Sequence, residues 1–294
     1  MSAEIVASKQ RRPARILAAL VVLISILAVV AAGQAMAGSS PSGRFVEVNK
    51  HRLYLRCAGK GRPVVVLEAG LGDWSRGWKA VLARSKTIGT TVCAYDRYGL
   101  GRSGTGAGVR TVAQDVSDLH RLLAKAKLQS PYVIAGASIG GIIVRSYARL
   151  YPAQVAGAIF VDSVPDDWDQ YVGISVFSGG AERLDIGAAA AKLRASDNLG
   201  HRPLVVLEAG DESYLEQATQ RTDFLDYWSP AQQKLAGLST NSLFAVATGS
   251  PHWIQSAKPD LSAEAIRLVV SAVRTKKHLP ACADSKLPKR GAAC

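Results

Sequence analysis

Gly136-Ala137-Ser138-Ile139-Gly140-Gly141 decides the reading of this chain. Tyr132-Val133-Ile134-Ala135 leads into it as a short apolar run suited to a buried strand. Ile142 to Tyr151 leaves it with helical character, and Pro152 stops the run. The stretch is therefore G-x-S-x-G set between a strand and a helix. Such a turn holds its serine in strained backbone geometry, and small neighbours let strand and helix approach closely. It lifts the Ser138 hydroxyl above the sheet edge and sets it at a helix start, where backbone N–H groups face developing negative charge. The letters alone occur by chance. Their strand–turn–helix setting carries the weight.

Outward from this turn, strand-like and helix-like runs alternate. Phe45-Val46-Glu47-Val48 and Arg52 to Cys57 alternate apolar and polar residues about Asn49-Lys50-His51, as two half-exposed strands of a hairpin do. Val64-Val65-Val66-Leu67 is a buried-strand run that ends in the glycine-rich Glu68-Ala69-Gly70-Leu71-Gly72. Thr90 to Tyr95 is another, ending in Asp96-Arg97-Tyr98-Gly99-Leu100-Gly101-Arg102-Ser103. Thr111 to Ala126 places Val112, Val116, Leu119, Leu122 and Leu123 at helical spacing. Ala158 to Val161 ends at Asp162-Ser163, Leu204 to Glu208 is followed by Asp211, and Leu243 to Ala247 leads to His252. Pro230 to Leu238 reads as a helix, and Ser262 reads as the cap of a final helix from Ala263 to Lys276. Between Ser163 and Arg202 the periodicity weakens, which suggests an insertion over the strand tips.

This alternation predicts a mostly parallel sheet with helices on both faces. Ligands of such sheets bind beyond the carboxyl ends of the strands. Leu71, Ser138, Asp162, Asp211 and His252 all fall at such ends.

The chain has 294 residues, 48% of them hydrophobic, enough for a large core and inconsistent with global disorder. Its formal net charge is +13, which suits a basic surface facing anionic envelopes or lipids as well as one that is simply solvated. No Cys/His finger spacing and no aromatic-studded basic strand is present, so no nucleic-acid partner is expected. Lys9 to Arg15 form a basic lead to the uncharged run Ile16 to Ala32, and Ala35 and Ala37 follow in an A-x-A arrangement. Residues 1–37 thus read as an export signal or, given the length of the run, as an uncleaved membrane anchor. The expected location is accordingly secreted, periplasmic or anchored. Four cysteines, Cys57, Cys93, Cys282 and Cys294, fit an oxidising compartment and allow three pairings that spacing does not separate. No C-x-x-C pair occurs, so no zinc or thioredoxin-type site is expected.

A serine hydroxyl needs a base to take its proton. Histidine suits that task because its ordinary pKa lies near neutrality. Of five histidines, only His252 directly follows a parallel-strand run on the Ser138 side. His51 reads as a surface turn residue and His120 as structural. A carboxylate must orient the imidazole, and Asp162 and Asp211 both sit where they could. Ile139, which follows the nucleophile, and Leu71 are the candidate oxyanion donors. No cofactor or metal enters this scheme.

With these residues in place the chain resembles the α/β-hydrolase superfamily from Phe45 to Lys276. The elbow at Gly136–Gly140, the Asp96–Ser103 turn and the His252 loop carry the resemblance. Leu67 to Gly72, Trp78 and Val161-Asp162-Ser163 resemble a bacterial subgroup of exported hydrolases. The resemblance implies an eight-stranded, mostly parallel sheet in a domain spanning 44–278. A cap insertion at 163–202 and a basic cysteine-containing tail at 279–294 complete the expected organisation. It favours Asp162 as the acid, with Asp211 as the alternative. It implies that Cys57 and Cys93 lie on neighbouring strands and pair, which leaves Cys282–Cys294 to close a tail loop. The activity implied is cleavage of a small-molecule or lipid carboxylic ester through an acyl-enzyme. Peptidase, thioesterase, acyltransferase and haloperoxidase-like chemistries share the scaffold. Pro251 stands where the family usually has glycine before its histidine, which motivates the alternative of a non-catalytic ligand-binding or envelope protein.

Overall fold

The computed structural model describes residues 43–106, 108–196, 198–211, 213 and 218–294. The expected export segment 1–37 lies outside them. The chain begins with an antiparallel hairpin of β1 (Arg44–Val48) and β2 (His51–Ala58). β3 (Val65–Glu68) is followed by the short helices α1 (Lys79–Leu82) and α2 (Ser85–Ile88), then β4 (Val92–Tyr95). The two-residue β5 (Arg110–Thr111) enters α3 (Val112–Lys125), and β6 (Tyr132–Ala137) enters α4 (Gly140–Leu150). After β7 (Val155–Val161) come α5 (Trp168–Val172), β8 (Val176–Gly179), β9 (Glu182–Asp185) and α6 (Gly187–Ser196). β10 (Leu204–Gly210), α7 (Ala218–Ala236), β11 (Ser242–Thr248), α8 (Ile254–Ala257), α9 (Pro259–Thr275) and β12 (Ala292–Ala293) complete the order.

The main sheet runs β1-β2-β4-β3-β6-β7-β10-β11-β12. From β4 to β11 it is parallel, while β1, β2 and β12 pair antiparallel. Eight of its strands are those expected from the sequence. The ninth, β12, comes from the tail and has only two residues, too few to show any periodicity.

Alternation along the buried strands divides the core in two. Val66, Ile134, Phe160 and Val206 face α3 and α4, where Val116, Leu119, Leu122, Ile142 and Ile143 meet them. Val65, Leu67, Val133, Ile159 and Val205 face α1, α2 and α9, where Val81, Leu82, Ile88, Ile266 and Val269 meet them. Both faces are therefore apolar at every central strand, which is why these runs read as continuously hydrophobic. The five apolar positions predicted for α3 are all buried, and Thr111 caps that helix in a reciprocal box with Gln114.

Two helices begin earlier than their sequence signals suggest. α9 starts at Pro259 rather than after Ser262, because proline at the first position needs no N–H partner; Ser262 lies buried within the helix. α7 starts at Ala218 and carries Pro230 inside it. The segment 163–202, expected as an insertion, holds a hairpin that the sequence does not announce. β8 and β9 are four residues each, and β9 pairs in parallel with β5 to form a second, three-stranded sheet. Among the described residues no helix is long and apolar enough to cross a membrane.

Cys57 and Cys93 face each other in the β2–β4 register and are bonded, with Cα atoms 4.0 Å apart. Cys282 and Cys294 are bonded across a separation of 12 residues. By loop-closure entropy the first bond, spanning 36 residues, stabilises the fold by about 4 kcal/mol and the second by about 3 kcal/mol. Replacing both cysteines of one pair by serine is expected to lower the Tm in scanning calorimetry, more for Cys57/Cys93 than for Cys282/Cys294. Equal Tm values for all three proteins would contradict this.

Candidate functional site: a serine, a histidine and a carboxylate at the sheet edge

The residues flanking Ser138 explain its placement. A Cβ on Gly136 would lie 2.6 Å from the Gly140 carbonyl oxygen, so only glycine lets β6 pass α4 this closely. A Cβ on Gly140 would lie 2.6 Å from the Ala69 oxygen, which brings the loop after β3 against the start of α4. Between them Ser138 has a φ of 54°, a left-handed value rare for a side-chain-bearing residue. Its N–H donates to the Val161 oxygen (3.1 Å), and its own carbonyl accepts from the Val164 N–H (3.0 Å). The serine turn is thus tied to both sides of Asp162. Asp162 is itself strained, with a φ of 44°. Five non-glycine residues among those described have positive φ, and two of them are Ser138 and Asp162. Strain collected in this way at one sheet edge is a mark of a functional site.

Asp162 is fully buried, and three donors hold it. Its Oδ2 accepts from His252 Nδ1 at 2.5 Å. Its Oδ1 accepts from the Ala209 N–H (3.0 Å) and from the Trp228 indole Nε1–H (2.9 Å). A carboxylate can only accept here, so the contact places the imidazole proton on Nδ1 and makes Nε2 the accepting nitrogen of the neutral ring. His252 is nearly buried, and the Trp228 ring meets it edge to face at 6.2 Å. The loop that carries it is anchored by the Ser250 carbonyl, which accepts from the N–H groups of Gly210 (3.1 Å) and Asp211 (3.0 Å). Pro251 sits in this anchored loop, and His252 still reaches Asp162. Asp211, the other candidate acid, lies at the end of β10 and uses its Oδ1 to accept from the Ser213 N–H (2.9 Å), an Asx turn.

Leu71 and Ile139 are both buried beside the elbow. Among the described residues no hydrogen bond engages either amide. Of the remaining histidines, His51 pairs with Asp118 (3.2 Å) and stacks on Tyr98, so it is more than a surface turn residue. His120 stacks flat on Tyr151, in keeping with a structural role.

Sequence reasoning missed two parts of the site. Trp228 gave no signal, because its partner lies 66 residues away. The second is a buried ionic cluster under the loop after β3. Arg97 Nη1 donates to Glu68 Oε1 (2.5 Å), and Arg97 Nε and Nη2 donate to Glu182 Oε1 and Oε2 (2.8 and 2.7 Å). Tyr95 Oη donates to the other Glu68 oxygen. Burial pushes Glu68 up to about 7 even though Arg97 opposes it. Burial also works against the Arg97 charge, but the Glu182 and Glu68 carboxylates outweigh it. Glycine punctuation in the Asp96–Ser103 turn was the only available hint. Asp96 there accepts from the N–H groups of Ser75 (2.9 Å) and Arg102 (2.8 Å), which fixes the turn that carries Arg97.

A further buried carboxyl, Glu208 on β10, lies next to Asp162. Its Oε2 accepts from the Ser229 hydroxyl at 3.1 Å, and burial, with Asp162 adding to it, raises its pKa to about 7.

The fold so described is the α/β-hydrolase fold: a mostly parallel sheet, helices on both faces and a serine elbow at the carboxyl edge. Comparison with known proteins agrees. The family described as serine aminopeptidase, S33 (Hydrolase_4), matches residues 59–179. An uncharacterised protein, YqjL, of Bacillus subtilis (strain 168) is 26% identical over 214 residues, covering 69% of this chain and 81% of YqjL. A bromoperoxidase from Bacillus anthracis superposes with a TM-score of 0.57 at 18% identity, over 78% of this chain and all of that one. A thermophilic esterase from Thermogutta terrifontis superposes with a TM-score of 0.56 at 19% identity, over 79% of this chain and 99% of that one. These likenesses support a hydrolase-type enzyme. A peroxidase and an esterase on one scaffold leave the reaction to be argued from the site.

Glu208 yields a test of the electrostatics. A carboxyl whose folded pKa lies above its unfolded value stabilises the fold fully below about 4.5 and loses that contribution as pH rises through about 7. Glu208→Gln removes the titration. Its Tm is expected to match wild type at pH 4 and to exceed it by about 2–4 °C at pH 8. An equal Tm difference at both pH values would contradict the assignment.

Proposed function

We propose that this chain is a serine hydrolase that cleaves carboxylic esters through an acyl-enzyme, with Ser138, His252 and Asp162 as its triad. The observation that carries the reading is the 2.5 Å contact between His252 Nδ1 and the buried Asp162 carboxylate, one strand away from the strained Ser138 turn. In this reading Ser138 Oγ attacks the ester carbonyl as His252 Nε2 takes its proton. The oxyanion is received by the Leu71 and Ile139 N–H groups. Collapse expels the alcohol, protonated by His252, and leaves the acyl group on Ser138. Water, activated by the same imidazole, then frees the acid. Asp162 fixes the tautomer and balances the imidazolium, and Trp228 and Ala209 keep that carboxylate oriented.

The substrate class is a small-molecule or lipid ester. Trp228, beside His252, belongs to an aromatic cluster with Trp168, Phe224 and Tyr227, with Tyr171 stacked on Tyr227 at 3.8 Å, and we take this cluster as a wall of the substrate site. Such a wall suits an apolar acyl or alcohol group better than a charged one. Two disulfides and the apolar segment before residue 38 support an exported or envelope-anchored enzyme. The S33 likeness keeps an aminopeptidase as the second reading.

The test is a p-nitrophenyl ester chain-length series run beside amino-acid p-nitroanilides. Ester turnover with fluorophosphonate labelling at Ser138 is expected, and Ser138→Ala should abolish both. Turnover of anilides alone would transfer the assignment to the peptidase. No labelling of folded wild type would leave a ligand-binding protein. Asp162→Asn should lower kcat by about 10⁴-fold, as a wrong histidine tautomer does elsewhere, whereas Asp211→Asn should stay near wild type. The reverse order would make Asp211 the acid.

Trp228→Phe keeps a ring but removes the N–H given to Asp162. Since hydrogen bonds to charged groups contribute about 1.5–3 kcal/mol, kcat/KM should fall by about 10–100-fold. An unchanged value in a folded variant would remove Trp228 from the site.

A further inference from the structure

The loop after β3 carries Leu71, one of the two oxyanion donors, and it is gripped from both sides. Beneath it, Arg97 is almost entirely buried. Its Nη1 donates to the Ala69 oxygen and its Nη2 to the Gly70 oxygen, both at 2.8 Å. Above it, the β8–β9 hairpin rests directly on the loop. A Cβ on Gly72 would lie 2.5 Å from the Gly179 oxygen, and a Cβ on Gly179 would lie 2.7 Å from Leu71 Cγ. The two grips share one residue. Glu182 Oε2 accepts from both Arg97 Nη2 and the Gly72 N–H, each at 2.7 Å.

Peptide planarity turns this grip into a direction. In a trans peptide the carbonyl and the following N–H point opposite ways. The carbonyls of Ala69 and Gly70 face the guanidinium, so the N–H groups of Gly70 and Leu71 face away from it. Gly70 meanwhile packs on the nucleophile: a Cβ there would lie 3.3 Å from Ser138 Cβ. The cation also sits at the negative ends of these two peptide dipoles, which makes their N–H ends better donors.

We propose that Arg97, held by Glu182 of the cap hairpin and by Glu68, is the positioning residue of the oxyanion site. It orients the Leu71 N–H before substrate arrives and fastens the cap to that loop. The inference rests on the serine-hydrolase reading. It assigns the Asp96–Ser103 turn a catalytic-support role and makes the β8–β9 hairpin part of the oxyanion machinery. No lysine could substitute fully, because one ammonium cannot reach two carbonyls and two carboxylates in fixed planar array.

The test uses wild type, Arg97→Lys and Glu182→Gln, each checked for folding by circular dichroism and Tm. Three readouts are ester kcat and KM, affinity for phenylboronic acid, and fluorophosphonate labelling at Ser138. Phenylboronic acid forms a tetrahedral serine adduct and so reports transition-state binding. Losing one oxyanion donor costs about 10²–10³ in kcat; a misaimed donor in Arg97→Lys should cost about 10–100-fold, with KM within about twofold of wild type and boronic acid affinity falling in parallel. Glu182→Gln retains an acceptor for the Gly72 N–H but removes the negative charge that faces Arg97, and about 3–10-fold is expected by the same reasoning. Wild-type kcat and boronic acid affinity in a folded Arg97→Lys would overturn the proposal. If that variant does not fold, an unchanged Glu182→Gln overturns it. Normal labelling of wild type beside unaffected variants would defeat this inference alone, whereas absence of labelling in folded wild type would defeat it together with the serine-hydrolase reading.

Discussion

The close passage of β6 over α4 is the constraint on which the rest depends. It exists only because Gly136 has no side chain to keep the two apart, while a bare Gly140 lets the loop after β3 close on the start of α4. That passage forces Ser138 into a left-handed turn and places the elbow against the loop after β3. It also fixes which residues can join it. Val161 and Val164 receive the backbone of Ser138, so the residue between them that bears a carboxylate, Asp162, is bound to the elbow by main-chain geometry before any side-chain contact forms. A serine and a carboxylate placed in this way are held by the sheet and need little from flexible loops.

Around that centre the molecule accepts several costly arrangements. Glu68, Arg97, Glu182 and Asp162 are charged or polar and almost wholly buried. A buried ion pair rarely adds net stability, since desolvation offsets most of the attraction. Here the return is geometric. Arg97, Glu182 and Asp162 each engage a specific backbone atom of the site, and Glu68 is held by Arg97 and Tyr95, so the cluster specifies one arrangement of the loops where an apolar core would tolerate many.

Much of this was legible in the sequence where the signal was local. The elbow, the five buried positions of α3 and the strand-end places of Asp162 and His252 follow from spacing within a few residues. Trp228, Glu182 and the β8–β9 hairpin were not legible, because what defines them lies far along the chain: Gly72 and Glu182 are separated by 110 residues. Helix starts failed for a different reason. Ser262 and Pro259 are both sound start signals, and the helix begins at the earlier one, where proline needs no N–H partner. Periodicity sets Asp162 and Asp211 alike at strand ends and does not reveal the contact between Asp162 and His252.

The tail has a consequence for how the molecule behaves in company. β11 would be the last parallel strand of the sheet, with a row of unpaired N–H and C=O groups along its outer side. Such an edge is a template on which another chain can add a strand. Ala292 and Ala293 pair with Ala247 and Val246 and cover part of that row, and the Cys282–Cys294 bond holds them there. The C-terminal cysteine thus protects against self-association. In a reducing compartment, the same polypeptide would keep Ser138, His252 and Asp162 in place yet lose the lock on its own edge, so the redox state of its surroundings bears on its solubility before it bears on its chemistry.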